Sequence, residues 1–378
     1  MKQKNGDGNK ILDGQREANY DLLRIICAIA VIMIHVSSIY QSAITSEDVF
    51  GQLYDKHTIS ILLYNTLSRF AVPCFIMLSG AFLLADDRNS DCRFFYRKCI
   101  KNVGVPTIVF SILYFVYSEC LSCMKIVMEG KGISELLTPV INVLIGEPFF
   151  HMWYLYTLIG IYLIVPVILY IKKKTGEENF RIISIVVLIM ASISGWTSSF
   201  VMHWSIAKSL RYVGYLLIGY QLRRCCKDRK HNGTAILLII SGIMTLLFLT
   251  YIQYEQSLKG MAIEEGQYSL IGNFSPLIVA SSVLLFAGFS KLRLNCNFGK
   301  FSARTFYIYL FHAGVWNLLS QFIKIIGGSR DARLIIPISG TIVLVISYVL
   351  SVIWVKLWSK IERKYSITEK VYRLFKLG

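Results

Sequence analysis

The stretch Asp21-Leu-Leu-Arg24-Ile-Ile-Cys27-Ala-Ile-Ala-Val-Ile-Met-Ile-His35 sets ionisable side chains into a run that otherwise reads as membrane-spanning. Arg24 and His35 are eleven residues apart. At about 100° per residue they return to within roughly 20° of one helical direction, separated by a rise of about 16 Å. Asp21 lies one turn before Arg24 on the same stripe. A charged group in the hydrocarbon layer is costly unless it meets a partner or water, so the stripe is expected to face the protein interior and to carry function. For Asp21 and Arg24 the alternative is an ion pair at the membrane boundary, one residue anchoring the other. His35 lies deeper than that alternative reaches.

The rest of the chain agrees with a membrane setting. Of 378 residues, 54% are hydrophobic and 17% charged, and the mean hydropathy is +0.53. That composition belongs to polytopic membrane proteins. The expected fold is all-α, a polytopic integral membrane helical bundle of about ten transmembrane helices. The spans are placed at roughly 20–41, 59–84, 103–124, 153–171, 181–200, 205–222, 234–254, 272–290, 303–326 and 333–358. Residues 1–19 are expected to be a cytoplasmic, disordered N-terminal segment, 20–358 the transmembrane domain, and 359–378 a basic cytoplasmic tail.

The net charge of +17 invites a nucleic-acid reading, but the charges fall in short loops. The odd-numbered loops carry six positive residues: Lys56, Lys125, Lys131, Lys259, Arg330 and Arg333. The termini and even loops carry about 27, including Arg88, Lys98, Lys172 to Lys174, Arg223 and Arg224. This bias puts both termini in the cytoplasm and predicts membrane lipids, with no nucleic acid, as surroundings. Met1 to Asn19 is polar and has no cleavable signal. Ile133 to Ile145 is too short to cross and is expected to be interfacial or re-entrant. Cys120 and Cys123 have C-x-x-C spacing without further ligands nearby; packing residues are the simpler reading, and no metal is expected.

Further ionisable residues fall at membrane depth. Arg69 lies about ten residues into the second span, too deep to snorkel easily. Pro73 frees a backbone carbonyl, and Ser79-Gly80 permits close approach of a helix or a ligand. His151-Met152-Trp153-Tyr154-Leu155 reads on physical grounds as an interfacial aromatic belt. Lys208 and Arg211 begin the sixth span, where partial snorkelling competes with ligand contact. Tyr309 and His312 share a face of the ninth span, where a structural histidine bonded to a neighbouring helix competes with a site residue. If His35, Arg69, Arg211, Tyr309 and His312 converge, the site holds an imidazole base and arginines suited to phosphates. Acyl transfer from a cytosolic phosphorylated carrier fits those parts. No phosphate-binding glycine loop, serine nucleophile elbow or zinc motif is present.

These motifs resemble the acyltransferase 3 family of polytopic membrane acyltransferases. Arg24 and His35 look like its R-x10-H motif, preceded by Glu17 and Asp21. Val72-Pro73-Cys74-Phe75-Ile76-Met77-Leu78-Ser79-Gly80 looks like its Pro-Phe-x-x-Ser-Gly stretch, His151 to Leu155 like its His-x-Trp-aromatic-Leu stretch, and Ser302 to His312 like its late Ser…Tyr-x-x-His stretch. Coverage runs from about residue 16 to 358. The resemblance implies transfer of an acyl group, expected to be acetyl, from acyl-CoA as co-substrate to a hydroxyl of a cell-surface or lipid-linked glycan in a bacterial plasma membrane. It implies His35 as base or acyl-handling residue and Arg24 near the CoA entrance, and it raises His151 from belt to site residue. With the depth of the other ionisable residues, the expected catalytic set is His35, Arg24 and Asp21, and the expected substrate- and CoA-binding set is Arg69, Ser79, His151, Trp153, Arg211, Tyr309, His312, Arg97 and Lys101. The run Tyr96 to Pro106, with Arg97 and Lys101, is a loose version of the family's basic stretch that holds CoA phosphates. The extra periplasmic esterase-like domain of some relatives is not seen. Two other readings are a transporter of a small solute such as an amino acid, like the membrane half of vancomycin-resistance serine racemases, and a non-catalytic scaffold, which leaves Arg24, His35 and Arg69 unexplained.

Overall fold

The computed structural model describes residues 17–44, 57–119, 141, 148–197, 205–226, 232–258, 270–326 and 331–375. Among these residues the regular structure is entirely helical. The expectations for the first 16 residues, for Cys120 and Cys123, and for most of 133–145 lie outside the described residues.

The helices are α1 (Ala18–Ile44), α2 (His57–Ser68), α3 (Ala71–Leu83), α4 (Cys92–Cys99), α5 (Val105–Tyr114), α6 (Trp153–Thr197), α7 (Ser205–Cys225), α8 (Gly233–Leu258), α9 (Pro276–Lys291), α10 (Thr305–Ile326), α11 (Ala332–Tyr365) and α12 (Ile367–Leu374). A short helical turn, Gly299–Ser302, precedes α10. Over the described residues, every expected span falls on a helix. Six helical segments among the described residues are long and apolar enough to cross a membrane: Ala18–Ser38, Thr58–Leu83, Cys92–Tyr117, Trp153–Ile193, Gly233–Leu258 and Ala332–Tyr365.

Departures from the expected boundaries have local causes. The second span is two helices, α2 and α3, meeting at Arg69–Phe70. Pro73 has no N–H to donate to the carbonyl of Arg69 one turn back, which weakens the ladder at that point. The third span begins early, at Cys92, where Asp91 accepts hydrogen bonds from the N–H groups of Arg93 and Phe94, and passes through a wide turn at Ile100–Gly104. The fourth and fifth spans are the two halves of α6, interrupted at Gly176, whose φ of 73° and ψ of 167° suit glycine alone.

α1 is the central element and packs against α2, α3, α9, α10 and α11. α3 and α7 touch backbone to backbone. A Cβ added at Gly80 would lie 1.8 Å from the Leu216 carbonyl oxygen, and one at Gly219 would lie 2.0 Å from that of Met77. α7 is buried among its neighbours by Tyr212, Tyr215, Leu216, Leu217 and Ile218, so it can carry polar residues that a lipid-facing helix could not. The rim is apolar instead: Ile182, Ile185 and Ile189 on α6, Leu237, Ile240 and Met244 on α8, and Ile338, Ile342 and Val349 on α11 are exposed at helical spacing, as lipid contact requires.

Candidate active site

Three histidines from three separate parts of the chain meet beside the outer part of α1. The His35 ring lies 5.2 Å from that of His312, and the His312 ring 5.2 Å from that of His151. His151 and His312 are buried, while Phe150, 5.0 Å from His35, is half exposed and marks the opening. His151 therefore does not stand in an outer belt. The turn before α6 dips into the protein, Met152 N–H bonding the Phe149 carbonyl at 2.9 Å, and seats the imidazole against Tyr114 and Tyr309. The Tyr309 hydroxyl donates to the His151 carbonyl.

The surroundings of His312 choose its tautomer. Nδ1 faces the Tyr309 carbonyl of the preceding turn. A carbonyl only accepts, so Nδ1 carries the proton and Nε2 holds the lone pair. Nε2 is buried without a hydrogen-bond partner among the described residues. An imidazole held this way at membrane depth can receive a proton from a hydroxyl brought into the cluster.

The break between α2 and α3 turns Arg69 towards this end of the bundle. Its Nε donates to Asn65 Oδ1 at 2.7 Å, and Asn65 Nδ2 donates to Ser37 Oγ at 3.1 Å on α1, two residues beyond His35. Arg69 also lines a cavity of about 180 Å³ with Trp153, Lys208, Arg211, Tyr212 and the Gly272–Phe274 turn. Arg69, Trp153 and Arg211, expected as binding residues, are thus neighbours. Ser79 lies further along α3; its hydroxyl donates to the Phe75 carbonyl and stands 3.3 Å from that of Tyr162. Gly80, next to it, serves the α3–α7 contact.

At the other end of α1, Asp21 is buried and accepts from Arg24 Nη1 at 2.9 Å and from Ser302 Oγ at 2.6 Å. Arg24 lies over the Phe82 ring at 4.8 Å. Arg223 of α7 lies over the same ring at 4.3 Å and bonds the Ala81 carbonyl and Glu17. Beyond Phe82 opens a cavity of about 1150 Å³ whose wall carries Arg88, Lys98, Lys172, Lys173, Arg223 and Arg224, six basic side chains against the three acids Asp86, Asp87 and Glu177. Sequence reasoning used these cations only as a topology signal. The available hint was their clustering in three successive even-numbered loops.

Arg97 and Lys101 are not part of this cavity. They line a groove of about 570 Å³ on the α4 surface, which among the described residues shares Lys98 alone with the larger cavity. The C-terminal helix α12 covers one side: Arg97 lies over the Tyr372 ring at 4.8 Å, and the Tyr372 hydroxyl donates to the Arg97 carbonyl at 2.9 Å. Asp21, Arg24, Arg97 and Lys101 therefore lie at the basic end, and His35, Arg69, His151, Trp153, Arg211, Tyr309 and His312 towards the opposite end. No group of three or more metal-ligating side chains with geometry for an ion occurs among the described residues.

A family model described as an acyltransferase domain matches residues 17–355. No curated protein and no solved structure matches the chain.

Proposed function

The chain belongs to the acyltransferase 3 family, whose domain covers residues 17–355, and on that premise we propose that it transfers an acetyl group from cytosolic acyl-CoA to a hydroxyl of a lipid-linked or cell-surface glycan, in a bacterial plasma membrane. Membership establishes a multi-pass membrane acyltransferase; the donor, the acceptor and the residue roles are our reading. The observation that carries it is α1 itself, one central helix with a guanidinium over Phe82 at its basic end and an imidazole in a three-histidine cluster towards its other end.

The basic end would hold the donor. The cavity of about 1150 Å³ has a surplus of cations, suited to the nucleotide phosphates of CoA. Asp21, fixed by Ser302, keeps the Arg24 guanidinium against Phe82 at the cavity's inner edge. The pantetheine arm would follow α1, whose rise between Arg24 and His35 is about 16 Å. At the cluster, the acceptor oxygen attacks the thioester carbonyl, the hydroxyl proton passes to His35, and the carbon–sulfur bond breaks as the CoA thiolate leaves and takes up a proton. His312, presenting Nε2, would accept or relay that proton, and Tyr309 holds His151 in place through its carbonyl.

The test uses purified protein in lipid nanodiscs. CoA should raise its unfolding temperature, and acetyl-CoA should be consumed with a matching acetyl group appearing on glycan by mass spectrometry. No response to CoA, together with accumulation of a small solute in sealed vesicles, would replace this reading by transport.

A further inference from the structure

Resting on that reading, we infer that the pantetheine arm of the donor lies along one face of α3, the face of Val72, Phe75, Ser79 and Phe82, and that the Tyr162 hydroxyl of α6 holds one of its amides there. α3 is an inner helix, packed on α1, α7 and α9. Of its thirteen residues eight are buried, and the five that are only half-buried are Val72, Phe75, Ser79, Phe82 and Leu83. At about 100° per residue all five fall within about 100° of one direction. Helix interiors pack with few voids, so a stripe left accessible on an inner helix marks space between helices.

The contacts of this stripe run inward and connect the two ends of the site. Phe82 lines the basic cavity and carries the Arg24 guanidinium over its ring. One turn away, the Ser79 hydroxyl stands 3.3 Å from that of Tyr162 on α6. A further turn along, the Phe75 ring lies 6.3 Å from Tyr154, also on α6. Tyr154 is 5.3 Å from Tyr309, and Tyr309 is 5.3 Å from His312, which neighbours His35. The rise from Phe82 to Phe75 is about 10 Å, so α3 and α6 wall the route that α1 flanks from Arg24 to His35.

The groups along the route suit the arm and exclude the nucleotide. Val72, Phe75, Ser79, Tyr154 and Tyr162 are all uncharged. A phosphate drawn among them would lose its hydration with no cation in return, so the phosphates stop at Arg24 and Arg223 over Phe82. The pantetheine arm is itself uncharged, with two amides set along an apolar chain. The Ser79 hydroxyl donates to the Phe75 carbonyl at 3.3 Å, so in its pair with Tyr162 the tyrosine is the donor. The Tyr162 oxygen then has a lone pair for an amide N–H of the arm. Stopping the phosphates and holding one amide together fix how far the thioester reaches towards the histidines.

Calorimetric titration of the full-length protein in nanodiscs with CoA and with adenosine 3′,5′-bisphosphate, which keeps the nucleotide and lacks the arm, tests the assignment. Y162F should weaken CoA about three- to tenfold, the worth of one neutral hydrogen bond, and leave the bisphosphate unchanged. S79L fills the stripe and should lower CoA affinity to that of the bisphosphate and stop acetyl transfer, with retained bisphosphate binding as the sign of a folded cavity. If S79L unfolds early, the milder Y162F decides. CoA affinity unchanged in the variants, or an equal loss for both ligands, would overturn the inference. The wild type separates this claim from the reading beneath it. CoA bound no tighter than the bisphosphate removes the arm's route and leaves a nucleotide site, whereas no binding of CoA removes the acyl-CoA reading and the route with it.

Discussion

Histidine 35 and histidine 312 differ in how tightly their chemistry is constrained. His312 is held by the Tyr309 carbonyl with Nε2 inward, whereas His35 stands beside the half-exposed Phe150 at the opening. Replacing His35 by Ala should abolish acyl transfer while the protein still inserts and keeps its cooperative unfolding; full turnover by that variant would falsify its role. His312→Asn keeps a donor for the Tyr309 carbonyl but removes the ring lone pair, and should lower kcat by about 100-fold, the lower range for loss of a general base. Steady-state transfer rates on folded protein check both. Asp21 is a positioning residue: its carboxylate touches Arg24 and Ser302 within the protein. Ser302→Ala deprives a buried acceptor of one partner, a cost of about 1–3 kcal/mol. It should appear as a lower unfolding temperature and a raised KM for acyl-CoA with kcat little changed; a fall confined to kcat would place Asp21 in the chemistry instead. Asp86, on the wall of the basic cavity, is held below the usual carboxylate range chiefly by its hydrogen bond with Arg88. Its folded-state pKa is depressed, so its small contribution is present above the ordinary value of 3.8 and is lost as pH falls through the folded value.

At the scale of elements, the α3–α7 contact positions the middle of the bundle, because it joins the helix of Ser79 to the helix of Arg211 and Arg223. Gly219→Ala would drive a Cβ to 2.0 Å from the Met77 carbonyl oxygen, where backbone has to move. Overpacking of this kind costs about 1–3 kcal/mol. Thermal unfolding should show the loss, and Gly104→Ala is the control, since its Cβ would meet Ile100 at an ordinary 3.8 Å. Equal stability of the two variants would show that the helices can separate without penalty. The same contact decides between the two readings of Ser79-Gly80 for the glycine, which serves packing. α12 likewise accounts for Arg97, whose guanidinium and carbonyl both engage Tyr372.

For the whole molecule, the separation of the two ends is the organising fact: a cationic cavity at one end of α1 and a histidine cluster and second cationic cavity towards the other. Binding of CoA at the basic end should weaken steeply with added salt, because phosphate contacts to partly exposed cations are screened within about 10 Å at 0.1 M ionic strength. Titrations across a salt series check this, and a salt-independent affinity would point to a buried apolar donor site. Much of this arrangement was legible in the chain. Hydropathy determined that the helices lie in a membrane, because backbone groups in lipid must be satisfied within each segment. The periodicity of 3.6 put Asp21, Arg24 and His35 on one stripe, and the distribution of Lys and Arg marked one end as basic. Helical periodicity says which face a residue is on but not which helix lies opposite. Only the tertiary structure decided that His151 leaves the belt to join His35 and His312, that Arg223 shares Phe82 with Arg24, and that Arg97 and Lys101 stand apart in another groove. Those outcomes depend on close backbone contacts such as Gly80 against Leu216, and the shape complementarity that selects one helix partner over another exists only once the helices have packed.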